Sequence, residues 1–595
     1  MSNFFFEYFS KIIIVFSFLF ILINILIFRK DTSGIFNSIN IFLIVVLYFL
    51  YKIPQGFDIS DEGLSLTKSW FMLKGAWHEN IDMIWAVSFI NGLWLHLAGV
   101  PKLLWARIGF ALTFAVNSLL VFNILKLYFL KKESFLVVFL ISILIPFGMT
   151  QTVSYQNLPV VFTLYSTFLF LKGNLYKKNI IILFSGIFSA FVFALKFPLI
   201  ITLLYFGLFF LINFIWKKSE RKIILTNALF YFYGTLIGFF ILFIVLYSTH
   251  SIDDYIISLI GKFKTPAEID PTHTLPNLIN VYLNDMKLIL IRLGILSVYS
   301  LLVIYIWKFL NTLFFKISFI VVSGILLYGF AMKFPGYFNW MYTILAFELN
   351  SLFLFLIFNF KEIKKYFPII FFAFLMFFSA FAGSDMGFRL HMWSGVGVFF
   401  GSVFLILLLR SSLIIKNTVF EFKHLFCVFF VFLFLLGINL YSSYVYRDDN
   451  RNNLTYSFHS ETLKGIKSTE ARVNAVDSLI NYFDKNINEN QQVAVIGTMP
   501  MLYYLLDKKP VFKDLWRQPV SEFENYKKKN NIPEVFIFPL KNPRYKKWPV
   551  KSSVIRETDS INIVYYKSFI MSNTYKNIYK NSMFEIFKKY TEISD

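Results

Sequence analysis

The chain has 595 residues, of which 57% are apolar, 21% aromatic and 15% charged, with a formal net charge of +22. Soluble globular proteins carry roughly a quarter charged residues, so the composition excludes an ordinary soluble enzyme and indicates a polytopic membrane protein. The Lys and Arg residues fall in short clusters between apolar runs, with no basic stripe of interleaved aromatics, which excludes nucleic acid as a partner; the single Cys427 excludes an intrachain disulfide and a Cys-based metal site.

The first apolar run, Ile12 to Phe28, has no small-residue cleavage site after it and is read as a retained helix. Further runs suited to crossing the membrane lie at 38–53, 103–125, 135–149, 158–171, 180–197, 199–216, 226–248, 287–308, 317–332, 340–360, 366–382, 392–410 and 424–442. The total expected is about 14 crossings of a hydrocarbon core ~30 Å thick. With that threading the basic clusters share one side: Arg29 and Lys30, Lys126 to Lys132, Lys172 to Lys178, Lys217 to Lys222, Lys308 and Lys316, Lys361 to Lys365, Arg410 and Lys416. The opposite, extracytoplasmic side then holds Asp58 to Glu62, "QTVSYQN" (151–157), the loop 249–286, "MKFPGYFNW" (332–340), "GSDMGFRLHM" (383–392) and everything after Tyr441.

Beyond Tyr441 the chain turns polar and rich in Asn and Lys, which divides it into a transmembrane domain, 1–441, and a soluble extracytoplasmic α/β domain, 442–595. "ARVNAVDSLINYFDKNI" and "MLYYLL" predict helices, and "QVAVIGT", "EVFIFP" and "INIVYYK" predict strands. Gly497 alone, after a strand, lacks the phosphate cradle of a glycine-rich loop. Heavy use of Phe, Ile, Lys and Asn suggests an AT-rich bacterial genome, so the expected location is the bacterial cytoplasmic membrane with the acidic loop and C-terminal domain outside it.

The stretch "GFDISDEGLSL" places Asp58, Asp61 and Glu62 directly after a membrane run. The acids cap the next helix against its dipole, serve as the cation or proton site of a transporter, or take part in catalysis and substrate binding. The Trp-rich stretch that follows, "LTKSWFMLKGAWHENIDMIWAVSFINGLWLHLAG", is amphipathic and suited to lie along the membrane surface and floor an interfacial cavity.

This order of elements resembles the GT-C superfamily of integral membrane glycosyltransferases, particularly the protein-mannosyltransferase and lipid A aminoarabinose-transferase type. The matching residues are Asp61 and Glu62 in the outer loop, then Gly99 and Arg107 entering the next span, with coverage mainly over 38–130. The chain departs from that pattern in having "WHENID" where many members have a His-Pro-Pro run, which leaves His78 a loose equivalent. "QTVSYQN" lacks the additional acid of several members, and one extra helix precedes the acidic loop.

The resemblance implies transfer of a sugar from a polyprenyl-phosphate donor to a lipid, glycan or protein acceptor. Such transfer requires a base for the acceptor proton and positive charge for the departing phosphate. Asp61 is the expected base, with Glu62 or Asp58 orienting acceptor or sugar hydroxyls. For the phosphate the candidates are Arg389 with His391 beside it, Lys333 and Lys196, the two lysines also reading as snorkelling helix ends. His78, Arg107 and His273 are expected at the acceptor or in the outer loops. No metal site is expected; a divalent ion enters only if the donor is a pyrophosphate lipid. The loop 249–286, with Asp253, Asp254, Glu268 and Asp270, is suited to close over bound substrate. A membrane oligosaccharide polymerase or ligase is the enzymatic alternative, against which the acidic first loop counts. A transporter is the other, and the chain shows no pseudo-repeat and few of the mid-span charges that would favour it.

Overall fold

The computed structural model describes residues 36–144, 150–263, 274–333, 339–381, 386–389, 395–415, 418–529, 531–551 and 557–590. Helix α1 (Ser38–Lys52) starts under Asn37, whose side chain accepts from the Asn40 amide. Two shorter helices, α2 (Asp61–Leu73) and α3 (Trp85–His96), pack on each other ahead of α4 (Leu103–Leu125). The membrane domain continues through α5 (Lys131–Leu144), α6 (Leu158–Tyr176), α7 (Asn179–Leu195), α8 (Ile201–Trp216), α9 (Arg221–Ser248), α10 (Ile252–Phe263), α11 (Leu275–Trp307), α12 (Leu313–Lys333), α13 (Asn339–Phe358), α14 (Ile363–Phe381), α15 (Val396–Leu409) and α16 (Lys423–Ser443).

The chain is an α-helical multi-pass membrane protein carrying a C-terminal α/β lobe. Among the described residues eight helices are long and apolar enough to cross a membrane. That is fewer than the expected count, partly because the predicted spans 38–53, 180–197 and 392–410 fall on shorter apolar helices, α1, α7 and α15. The predicted run 11–28 lies outside the described residues. Burial separates two helix types: α15 is buried along almost its whole length, whereas α9 and α12 bury only a minority of their residues. Their apolar exposed faces are what a lipid environment requires.

In the lobe, α17 (Glu470–Asn486) buries Val473, Val476, Leu479, Ile480 and Phe483, a helical spacing that presents one apolar face. Helices α18 (Met501–Leu505), α19 (Val520–Lys528) and α20 (Glu557–Met571) accompany a four-stranded sheet. Besides the membrane domain's small hairpin β1–β2 (Ser412–Ile415, Thr418–Glu421) and the two-residue pair β3–β4 (Tyr456–Ser457, Lys467–Ser468), the sheet strands are β5 (Val493–Val495), β6 (Val535–Pro539), β7 (Tyr575–Lys580) and β8 (Phe584–Lys589). Their order is β5-β6-β8-β7, with β5 and β6 parallel and the other pairs antiparallel. The predicted strand "INIVYYK" is instead part of α20: Ile563, Tyr566 and Ile570 are buried at helical spacing, and a seven-residue apolar run does not separate the two periods.

Within the Trp-rich stretch, α2 packs under the C-terminal lobe, in one hydrophobic core that joins Phe57, Ile59, Leu66, Trp70 and Leu103 to Leu479, Tyr503, Tyr504, Trp548 and Phe584, while Leu93 and Leu97 remain exposed. Trp70 stacks on His96 at 4.2 Å and donates from Nε1 to Asp507 at 2.8 Å. Thr67 donates to the Pro500 carbonyl at 2.7 Å, and the Met501 amide donates to the Ile59 carbonyl at 3.1 Å. Gly63 makes this approach possible, since a Cβ there would overlap the Met501 backbone.

Candidate active site

The acidic loop is tied down by the chain that leaves the membrane at the end of α16. Lys467 and the 54–56 backbone exchange two hydrogen bonds, Lys467 N to Pro54 O at 2.7 Å and Gly56 N to Lys467 O at 2.8 Å. Arg451 donates to the Gln55 side chain and to the Tyr441 carbonyl. Asp448, fully buried, accepts from the Phe57 amide and the Ser468 hydroxyl, both at 2.7 Å, and pairs with Arg472 at 2.8 Å. Gly56 has φ +95°, and a Cβ there would overlap Val445, so the crossing of the two segments needs glycine.

The three acids of the loop have separate fates. Asp58 is buried and takes the capping part: Oδ1 accepts from the Ser60 amide at 3.0 Å and hydroxyl at 2.6 Å, and Oδ2 from the Glu62 amide at 2.9 Å. Ser60, at the N-cap position, makes no side-chain cap bond of its own. Glu62 is buried against Arg107 in a fork, with Arg107 Nε and Nη2 each 2.7 Å from one carboxylate oxygen while Nη1 donates to the Ile53 carbonyl at 2.7 Å. Asp58 is engaged by Ser60 and the loop backbone, and Glu62 and Arg107 by each other and the Ile53 carbonyl, the side chains of Glu62 and Arg107 each being only 2% exposed.

Asp61 alone reaches outward, its side chain 28% exposed. Tyr446 donates its hydroxyl to Asp61 Oδ2, and Arg447 Nη2 pairs with the same oxygen at 2.5 Å. No described residue donates a hydrogen bond to Oδ1. Arg447 also donates to the Ser60 hydroxyl. Burial raises the Asp61 carboxyl above the usual carboxylate range, with Asp58 adding to the effect; Arg447, the Tyr446 hydroxyl and Arg544 of the lobe oppose it. The segment "YRDD" (446–449) was missed as a site from sequence. Its signal is a charged cluster at the junction where the last membrane helix ends.

Among the described residues, none of the remaining candidates shares a hydrogen bond or ion pair with Asp61. Lys196, between α7 and the turn Phe197–Ile200, is buried with no carboxylate partner among the described residues, and the next amide, Phe197, donates to Met83 at 3.1 Å. Lys68 on α2 pairs with Asp82, which precedes α3, at 2.7 Å. Lys333 is exposed at the end of α12. Arg389 closes the turn Gly387–Arg389, donating to the Met386 carbonyl at 3.3 Å, and that turn is held by Asp285 of α11, which accepts from the Phe388 amide at 2.8 Å. His78 pairs through Nδ1 with Asp254 of α10 at 2.7 Å, so it meets the outer loop. His273 and His391 lie outside the described residues, as do Glu268 and Asp270. Among the described residues no group of three or more His, Cys, Asp or Glu side chains is arranged to hold a metal ion.

No family model matches the chain, and no curated protein matches it. Among solved structures the chain is similar to ArnT from Cupriavidus metallidurans in the apo state, at 10% sequence identity and a TM-score of 0.43, over 92% of this chain and 97% of that one. It is similar also to the structure of ArnT from Cupriavidus metallidurans bound to undecaprenyl phosphate, at 10% identity and a TM-score of 0.42, over 94% of this chain and 99% of that one.

Proposed function

We propose that the chain is a GT-C-type membrane glycosyltransferase that moves a sugar from a polyprenyl-phosphate donor to an extracytoplasmic acceptor, with Asp61 as general base. The observation that carries this reading is the asymmetry of the Asp61 carboxylate: Oδ2 is anchored by Tyr446 and Arg447, and no described residue donates to Oδ1 on this partly exposed side chain. A carboxylate fixed through one oxygen holds its other lone pairs in a defined direction, which is what proton abstraction from a positioned hydroxyl needs.

In the proposed step Oδ1 accepts the proton of the acceptor hydroxyl while the acceptor oxygen bonds to the anomeric carbon. The bond from that carbon to the phosphate oxygen breaks, and its electron pair leaves on the polyprenyl phosphate. Asp58 and Glu62 act through position: one ties the loop that starts α2, and the other pins α2 to α4 through Arg107. Of the cations assigned to the donor phosphate, Lys196, Arg389, Lys333 and His391, Lys196 takes first place. A buried ammonium with no carboxylate partner among the described residues is suited to an incoming phosphate. The one-sided distribution of the basic clusters supports an outer-face site in a bacterial cytoplasmic membrane.

The test is transfer by the full chain reconstituted in liposomes, offered a panel of radiolabelled polyprenyl-phosphate sugars with bacterial envelope extract as acceptor. Loss of a positioned general base lowers the rate roughly 100- to 10,000-fold, so Asp61→Asn is expected to fall in that range at equal protein level. Wild-type transfer matched by Asp61→Asn would remove Asp61 as the base.

A further inference from the structure

Arg472 sits on α17 in the C-terminal lobe and is wholly buried. Its guanidinium meets three stretches of chain that are remote in sequence. Nη1 donates to the Phe57 and Arg447 carbonyls, each at 3.0 Å, and lies 2.8 Å from Asp448 Oδ1. Nη2 donates to the Lys546 carbonyl at 2.7 Å, and Nη2 and Nε both reach the Trp548 carbonyl at 3.3 Å. The Trp548 ring covers the guanidinium at 4.2 Å. One side chain thus joins the residue before Asp58, the residue that pairs with Asp61, and a loop of the lobe.

Arg447 has a left-handed backbone, φ +51°, which a non-glycine residue keeps only where its surroundings over-determine it. The surroundings here are the Arg472 fork on its carbonyl and, one residue on, Asp448 fixed by Phe57, Ser468 and Arg472. An arginine suits this place because its planar fork supplies five donors in fixed directions, whereas a lysine at the same point meets fewer acceptors.

We propose that Arg472 is a positioning residue for Asp61: by gripping the Arg447 carbonyl and Asp448 it keeps the Arg447 guanidinium on the Asp61 carboxylate, which makes the C-terminal lobe part of the catalytic site. The word catalytic here rests on the function proposed above; the positioning does not. The charged and titratable groups facing Asp61 are Asp58 from its own loop, Tyr446 and Arg447 from the segment after α16, and Arg544 from the lobe. Of these, Arg447 is the one whose own carbonyl Arg472 holds.

The test reads Asp61 directly, without donor or acceptor. The full chain in nanodiscs is titrated while its protonated-carboxyl infrared band is followed, the Asp61 contribution being isolated by subtraction of Asp61→Asn in the same background. The double variant Arg472→Met with Asp448→Asn removes both buried charges and leaves an amide to hold Phe57 and Ser468. Release of an opposite charge from a carboxylate raises its titration midpoint by roughly one to three pH units, and an upward shift of that size is expected. Arg472→Lys, which keeps the buried charge but loses the fork, is expected to shift the midpoint by less, and it carries the test if the double variant does not fold. An unchanged Asp61 midpoint in a folded variant overturns the proposal and leaves Arg472 as cement between lobe and loop. In the transfer assay the same variants are expected to lose kcat at least tenfold with little change in donor KM. Absence of transfer by wild type would count against the glycosyltransferase reading alone, because the infrared titration does not depend on it.

Discussion

Replacing Glu62 by Gln tests whether this acid is a support or a reactant. In the native chain its two oxygens meet Arg107 at 2.7 Å each, and the two side chains are each 2% exposed. Glutamine keeps the shape and removes the charge, so Arg107 is left as a buried guanidinium facing a neutral amide that presents one acceptor where there were two. Breaking a buried pair from one side costs about 3–5 kcal/mol, because the surviving charge has lost its compensation. At about 2 °C of midpoint per kcal/mol for a larger domain, Glu62→Gln is expected to unfold on the order of 6–10 °C below wild type. The assay is thermal unfolding of the detergent-solubilised protein followed by intrinsic Trp fluorescence. Glu62→Gln combined with Arg107→Met is expected to recover most of the loss, since an apolar replacement of both partners is often close to neutral. A Glu62→Gln protein with the wild-type midpoint and no transfer activity would refute the reasoning and return Glu62 to the substrate.

Arg447→Gln is expected to move the acid limb of the transfer pH profile upward. The base works as carboxylate, so activity rises with pH through the already raised Asp61 pKa, and removal of a cation that lowers that pKa shifts the rise to higher pH; an unmoved limb would contradict the pairing. Gly63→Ala places a methyl group on the Met501 backbone and is expected to loosen α2 from the lobe, with a cost of about 1–3 kcal/mol and faster limited proteolysis after Leu505; protection equal to wild type would argue against that contact. Lys196→Met is expected to raise donor KM at least tenfold while raising the thermal midpoint, because it removes a buried charge that has no carboxylate partner among the described residues; a lowered midpoint with unchanged KM would make the lysine structural.

The membrane class, the places of the helices and the α/β character of the lobe were legible in the sequence because each depends on runs and periods within a dozen or two residues. An apolar run such as Leu103–Leu125 buries or meets lipid whatever its neighbours are. The strand assigned to "INIVYYK" failed for the same local reason, since a short apolar run fits both periods until its partners are known. The gathering of acid at the membrane mouth was also legible; the division of labour within it was not.

Which carboxylate caps, which pairs and which stays open depends on side chains far along the chain. Glu62 is settled by Arg107, 45 residues away, and Asp61 by Tyr446, 385 residues away. The burial of α2 depends on Pro500, Met501 and Asp507 of the lobe. No periodicity links such residues, and the energies that select their pairing arise only once both partners are desolvated together. Local runs of residues thus specify a multi-pass membrane protein with acid gathered in the loop after its second apolar run. That Asp61 is the acid with an oxygen to which no described residue donates follows from folding alone, which brings Tyr446 and Arg447 to its other oxygen.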